Sequence, residues 1–246
     1  MLYIALVIPK DDRYSHNITK NNKTFVGIKS AYNSCMKIET QEIIDRVLFM
    51  DFDSQWDLAM SFVRIQEFQE SPKFRGKYFT LDQYMDYWVK GQGEGKWDYP
   101  NRWGGFNLSG KIIEKFMLKF DDLRDKEKEI VNIIDHYVSS KENKKTSMKD
   151  IYVIAAKGYR EKTINHETAH ALYYLNPKYR RECNRLLKSI PQEKYDKGMA
   201  VLLKMGYGKN IINDELQAYF STNTNEFTDI SIMNEFKDNY ERFRNG

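Results

Sequence analysis

The chain has little cysteine, little histidine and no long apolar run. Two cysteines in 246 residues, Cys35 and Cys183, do not make a disulfide framework, and they point to a reducing compartment. No stretch approaches the ~20 apolar residues of a membrane span. The apolar segment Leu2–Ile8 is too short for the hydrophobic region of a signal peptide, and Pro9-Lys10-Asp11-Asp12 ends it. The expectation is a soluble, cytoplasmic protein without a membrane partner. Charge of one sign is lacking too: the net value is +4, and Lys is mixed with Asp and Glu along the chain. No overwhelmingly basic region exists, which disfavours nucleic acid as a partner. The glycine-rich segment near residue 91 lacks the Gly-Lys-Ser/Thr ending of a phosphate-binding loop.

What is present suits a folded globular chain. Hydrophobic residues make up 41% and charged residues 30%, a balance that buries a core and excludes disorder. The length fits one sizeable domain or two lobes.

Of only four histidines, two fall in one turn, in Thr163-Ile164-Asn165-His166-Glu167-Thr168-Ala169-His170-Ala171-Leu172. Residues four apart on a helix share a face, so His166 and His170 can offer two imidazole nitrogens to one cation. Zn²⁺ suits such ligands. Glu167, next to the first ligand, is placed to act as general base on a water that the metal acidifies. The flanks predict a helix: a strand at Ile151–Ala156, a loop with Gly158, Thr163 as helix cap, and Asn176-Pro177 as its stop.

The decapeptide resembles the extended active-site signature of zincin metallopeptidases. The metzincin extension is absent, because Tyr173 and Asn176 stand where it has Gly and His. No histidine follows His170, so a third ligand is either His16 or His136 from upstream or a carboxylate from a later helix, as in two-His-one-Glu sites. Asn213-Asp214-Glu215-Leu216-Gln217-Ala218-Tyr219 resembles the second motif of the gluzincins and makes Glu215 the first candidate, with Asp214 and Glu182 as rivals. It departs from the common form in that Asp214 separates Asn213 from Glu215. The resemblance implies zinc as cofactor, a peptide or protein as substrate, and hydrolysis of a peptide bond. Tyr207 and Tyr219 are candidates to donate a hydrogen bond to the oxyanion that develops.

Elsewhere the pattern is structural. Residues 2–8 and 25–28 read as strands, and 46–52 as strand or helix. Residues 54–70 have helical spacing, and Thr80-Leu81-Asp82-Gln83 is a capping box opening another helix. The longest irregular segment is 91–109. Its Trp97, Tyr99, Trp103 and Phe106 suggest a loop packed through its own aromatics, either walling a substrate cleft or plugging the space between lobes. Apolar stripes at 112–120 and 130–138 predict helices, with His136 a packed or surface residue. The polar stretch 141–145 is the boundary candidate, separating an N-terminal α/β lobe (1–145) from a zincin-like catalytic portion (146–246), or joining them in one continuous domain.

The strand before the metal helix is expected at a sheet edge, where it pairs with extended substrate, or else in the centre of the core. Further helices are expected at 178–190, 192–205 (ended by Gly206), around Glu215 and at 230–243. The expected fold is α/β (α+β) and zincin-like: a small mixed sheet, a metal-bearing helix and a mainly helical C-terminal part. Two other readings follow from the same residues. One is a catalytically silent metal-bearing regulatory protein of zincin fold; the other is a nucleic-acid-associated protein using the basic face at 178–188.

Overall fold

A computed structural model describes residues 36–141, 146–205, 207–222 and 230–246. The expected strands at 2–8 and 25–28, His16, Cys35, the Gly206 cap and most of the 141–145 boundary lie outside them.

Four strands form one mixed sheet in the order β1-β2-β4-β3. Strand β1 (Ile38–Ile44) turns through Asp45 and Arg46 into β2 (Val47–Phe52), which it pairs antiparallel. The turn needs a left-handed residue, which Arg46 supplies at φ 64. Strand β4 (Tyr152–Ala156) runs parallel to β2, and β3 (Gly105–Ser109) closes on its other side antiparallel. The segment 46–52 is thus resolved as strand. The sheet draws β1–β3 from before residue 145 and β4 from after it, and the chain is a mixed α/β fold rich in helix.

Successive side chains of a strand point to opposite faces. Leu48, Met50, Phe52, Phe106, Leu108, Val153 and Ala155 share one core with the first helices. Val47, Phe49, Tyr152, Ile154 and Ala156 share the other with Ile164 and Ala171. Because β4 is buried on both faces and flanked on both sides, it is the centre of the sheet. Of the two positions expected for it β4 takes the central one, and β3 lies at the edge beside it.

The first core is built on α1 (Gln55–Glu70), capped by Ser54, whose side chain accepts the Asp57 N–H. Helix α2 (Leu81–Lys90) opens with the predicted capping box of Thr80 and Gln83. The stretch 91–109 is not one irregular loop. Its first part, including the short helix α3 (Tyr99–Arg102), stacks Trp97 on Tyr99 and sets Trp88 and Trp103 edge-on to Tyr99; its last five residues are β3. Helices α4 (Gly110–Lys119) and α5 (Asp125–Ser139) complete this layer. Gly110 joins β3 to α4 where a Cβ would lie 1.7 Å from the Met148 carbonyl oxygen, so no other residue fits.

On the far face lies α6 (Glu161–Leu175), followed by α7 (Pro177–Ser189), α8 (Gln192–Lys204), α9 (Ile212–Thr222) and α10 (Ile230–Asn245). Asn176 ends α6 and caps α7, accepting the Lys178 and Tyr179 N–H groups. Thr163 is not the cap of α6; the helix starts two residues earlier, after Arg160. Two residues of the basic face of α7 are engaged locally: Arg180 donates to the Tyr173 and Tyr174 carbonyls, and Arg185 pairs with Glu182. No described helix is long and apolar enough to cross a membrane.

Two acids near the end of α1 give the fold a pH dependence. Glu67 is buried and Glu70 half-buried, and neither is paired with a described Lys or Arg. Burial pushes Glu67 up to about 7 and Glu70 up to about 8, hydrogen bonds opposing the rise in both cases and the Glu67 charge adding to it for Glu70. Both are raised above their unfolded value, so the folded chain binds more protons than the unfolded chain above pH ~4.5. The stabilisation is full below that pH and is lost as pH rises through about 7 and about 8. With chelator present, the urea midpoint should fall between pH 5.5 and 8.5. Glu70→Gln should recover on the order of 3 kcal/mol of that loss. An unchanged pH dependence in the variant would remove Glu70 from the account.

Candidate metal centre

The site lies where α6 crosses α9 beneath β3. Helix α6 is buried on most of its circumference because it serves two cores. Ile164 and Ala171 face the sheet, while Ala169 and Leu172 face the helical layer with Leu216, Ala218 and Phe220. Small side chains at 168, 169 and 171 permit the close approach of its neighbours, and Thr168 turns its hydroxyl back onto the Ile164 carbonyl at 2.6 Å.

The helical spacing sets His166 and His170 side by side, their Nε2 atoms 3.3 Å apart. Helix α9 brings Glu215 to them, with Oε2 at 3.8 Å from His166 Nε2 and 3.6 Å from His170 Nε2. The point in the plane of these three atoms that is equidistant from them lies about 2.1 Å from each, close to the length of Zn–N and Zn–O bonds. Glu215 Oε2 is buried without a hydrogen-bond donor, a cost that a cation at that point would remove. His166, His170 and Glu215 could therefore hold a metal ion, and two imidazoles with one carboxylate are a donor set that Zn²⁺ accepts.

Neighbouring groups aim the ligands. Asp214 is not among the three converging atoms; its Oδ1 lies 2.9 Å from His170 Nδ1 and is held from behind by Gln217 Nε2 at 3.1 Å. With Nδ1–H donating to Asp214, the Nε2 lone pair is the one turned to a cation. Gln217 is itself fixed by the Tyr179 hydroxyl at 2.8 Å. Burial opposes a charged His170, but Asp214 and Glu215 outweigh it and hold the ring's proton more tightly than usual. Burial likewise opposes the Glu215 charge, yet His170 and His166 bring its carboxyl down to about 2. Glu215 is thus an anion throughout the range in which proteins fold.

No family model, curated protein or solved structure matches this chain. What the centre can do is therefore argued from its own geometry.

Glu167, buried beside the first ligand, accepts a hydrogen bond on Oε2 from Asn107 Nδ2 of β3. Burial raises its carboxyl, against the pull of His170 and His166. Tyr219, one turn after Glu215, sets its ring edge-on to His166 at 4.6 Å, and its hydroxyl meets that of Tyr207 at 3.0 Å. The two tyrosines are therefore one hydrogen-bonded pair at the site. The remaining rivals are elsewhere: Glu182 is paired with Arg185 on α7, and His136 is exposed on α5. Asn107, Tyr152 and Gln217 had no motif to mark them. Only the register of β3 with β4, and the spacing of Gln217 three residues after Asp214, place them at the site.

Proposed function

We propose that the protein is a zinc-dependent hydrolase of peptide bonds, with the two-His-one-Glu site and fold plan of a gluzincin-like zincin. The observation that carries this reading is the convergence of His166, His170 and Glu215 on one point, with a buried carboxylate, Glu167, next to the first of them. His166, His170 and Glu215 would hold the ion, and Asp214 keeps His170 in the ligating tautomer. A Zn²⁺ ion held there would supply Lewis acidity for the water and the scissile carbonyl. Glu167 takes the proton of the attacking water and delivers it to the leaving amine. The Tyr207–Tyr219 pair donates a hydrogen bond to the oxygen on which negative charge develops.

The edge strand suits an extended peptide. Gly110 N–H donates to the Ile151 carbonyl at 2.9 Å, and in an antiparallel ladder bonded and non-bonded pairs alternate. Leu108 and Phe106 are therefore bonded to β4, and the main-chain groups of Asn107 point away from it. No described strand pairs with that side of β3. A substrate strand laid there is held by main-chain bonds, independent of its sequence.

Elemental analysis of purified protein tests the reading. One zinc per chain is expected in the wild type, and Glu215→Ala should weaken zinc binding by about 100-fold or more. No zinc in the wild type after the metal is added back would end the proposal. Zinc held equally well by the variant would remove Glu215 from the ligand set.

A further inference from the structure

On the hydrolase reading, a base is useful only if its carboxylate is held towards the reacting water. We propose that Asn107 is a positioning residue for Glu167, and that Tyr152 sets the direction in which its amide acts. Three elements meet in this contact. Asn107 lies on β3 opposite Ile154 of β4, with Tyr152 as its diagonal neighbour on the same face. The Tyr152 hydroxyl donates to Asn107 Oδ1 at 2.9 Å, and Asn107 Nδ2 donates to Glu167 Oε2.

With Glu167 ionised, as the role of base requires, the order of donors follows from chemistry. Ionised Glu167 can only accept, so the amide must present its NH₂ group. Reversing the amide would set Oδ1 against the carboxylate, oxygen against oxygen. It would also exchange the acceptor of the Tyr152 proton for a donor. Tyr152 is buried, and burial with the nearby carboxylates keeps its hydroxyl protonated and able to donate. One carboxylate oxygen of Glu167 is thereby tied to the sheet, and Oε1 stays outside that bond for proton transfer. A bond to an ionised acceptor is among the stronger hydrogen bonds, so it restrains the rotamer effectively.

The same residue turns its main chain to the free side of β3. A peptide bonded along that edge therefore shares Asn107 with the base, through backbone on one side and side chain on the other. Substrate register and base orientation are set by one residue.

The test uses the full chain, with zinc content measured on every variant. Asn107→Ala should keep zinc and KM and lower kcat by about 10- to 100-fold. Tyr152→Phe, which removes one oxygen and keeps the ring, should lower kcat in the same sense by a smaller factor. Asn107→Asp, which sets a carboxylate against Glu167, should be worse than alanine. A merely structural role would instead reduce zinc content and raise KM together. A second readout does not need turnover: Asn107→Ala, Glu167→Ala (which, unlike glutamine, removes the acceptor) and the double variant are compared by thermal unfolding. The double variant should lose less than the sum of the single losses, by about 2 °C or more. Strictly additive losses, or a kcat for Asn107→Ala within about twofold of wild type, would overturn the proposal. If the wild type neither holds zinc nor hydrolyses peptides, the hydrolase reading fails, and the unfolding comparison still decides whether Asn107 holds Glu167.

Discussion

Glu167→Gln should leave zinc content and KM near their wild-type values and lower kcat by about 10²- to 10⁴-fold. Glutamine preserves the shape of a side chain that is only 2% exposed, so packing is undisturbed. Its amide oxygen still accepts the Asn107 hydrogen bond, so the side chain stays where it is. What is lost is the capacity to take a proton. Because Glu167 is not one of the three atoms that converge on the cation point, metal content separates this variant from Glu215→Ala, which should lose both metal and turnover. Hydrolysis at the wild-type rate by Glu167→Gln would remove Glu167 from the role of base. Loss of zinc in that variant would show that Glu167 itself helps to hold the ion.

Arg64→Ala should cost about 3–5 kcal/mol, a large part of the 5–15 kcal/mol by which domains of this kind are stable. Arg64 on α1 is 1% exposed, and its guanidinium is used on every side. Nε and Nη2 reach the two oxygens of Glu127 at 2.9 and 2.6 Å, Nη2 also donates to the Asp122 carbonyl at 3.1 Å, and the group lies 4.9 Å from the Phe120 ring centre. Glu127 is fully buried on α5 and also accepts the Arg124 N–H at 2.8 Å. Removing the arginine leaves that carboxylate buried with its main partner gone, which is the expensive outcome. The urea midpoint reports the loss. The double change Arg64→Met with Glu127→Leu should recover most of it, since apolar groups of similar volume replace the pair without a buried charge. Equal midpoints for wild type and Arg64→Ala would show that the network contributes nothing.

The candidate site was legible in the sequence where its geometry is local. His166, Glu167 and His170 are related by helix pitch alone, so their spacing carries the information. Glu215 was reachable because α9 announces itself as an apolar-periodic helix with an acid in its first turn. Asp214 was legible only as a rival third ligand; that it serves His170 Nδ1 depends on how α9 is rotated against α6. Asn107 was illegible for a different reason. Phe106 and Leu108 point into the core and Asn107 and Ser109 do not, a period of two that marks a strand. Five residues among glycines and tryptophans are too few to stand out from a packed loop. Strand β1 was unread as well, since Glu39 and Glu42 interrupt its isoleucines. Whether β4 lies at an edge or in the centre is open in the sequence, because a strand buried on both faces reads the same at the centre of a sheet as at a covered edge.

The strand order has a consequence for how the chain is made. Synthesis runs from the N-terminus, and β4 is the last of the four described strands to emerge, yet its place is between β2 and β3. Until residue 156 leaves the ribosome, the nascent chain holds two strands with unpaired inner edges and an aromatic layer lacking its floor. Such long-range pairing is slow and exposes surface that other chains can bind. Helix α6 follows β4 after only a short turn. Completing the sheet and positioning α6 therefore become nearly one step in translation. A pause between β3 and β4 would lengthen the life of the open sheet.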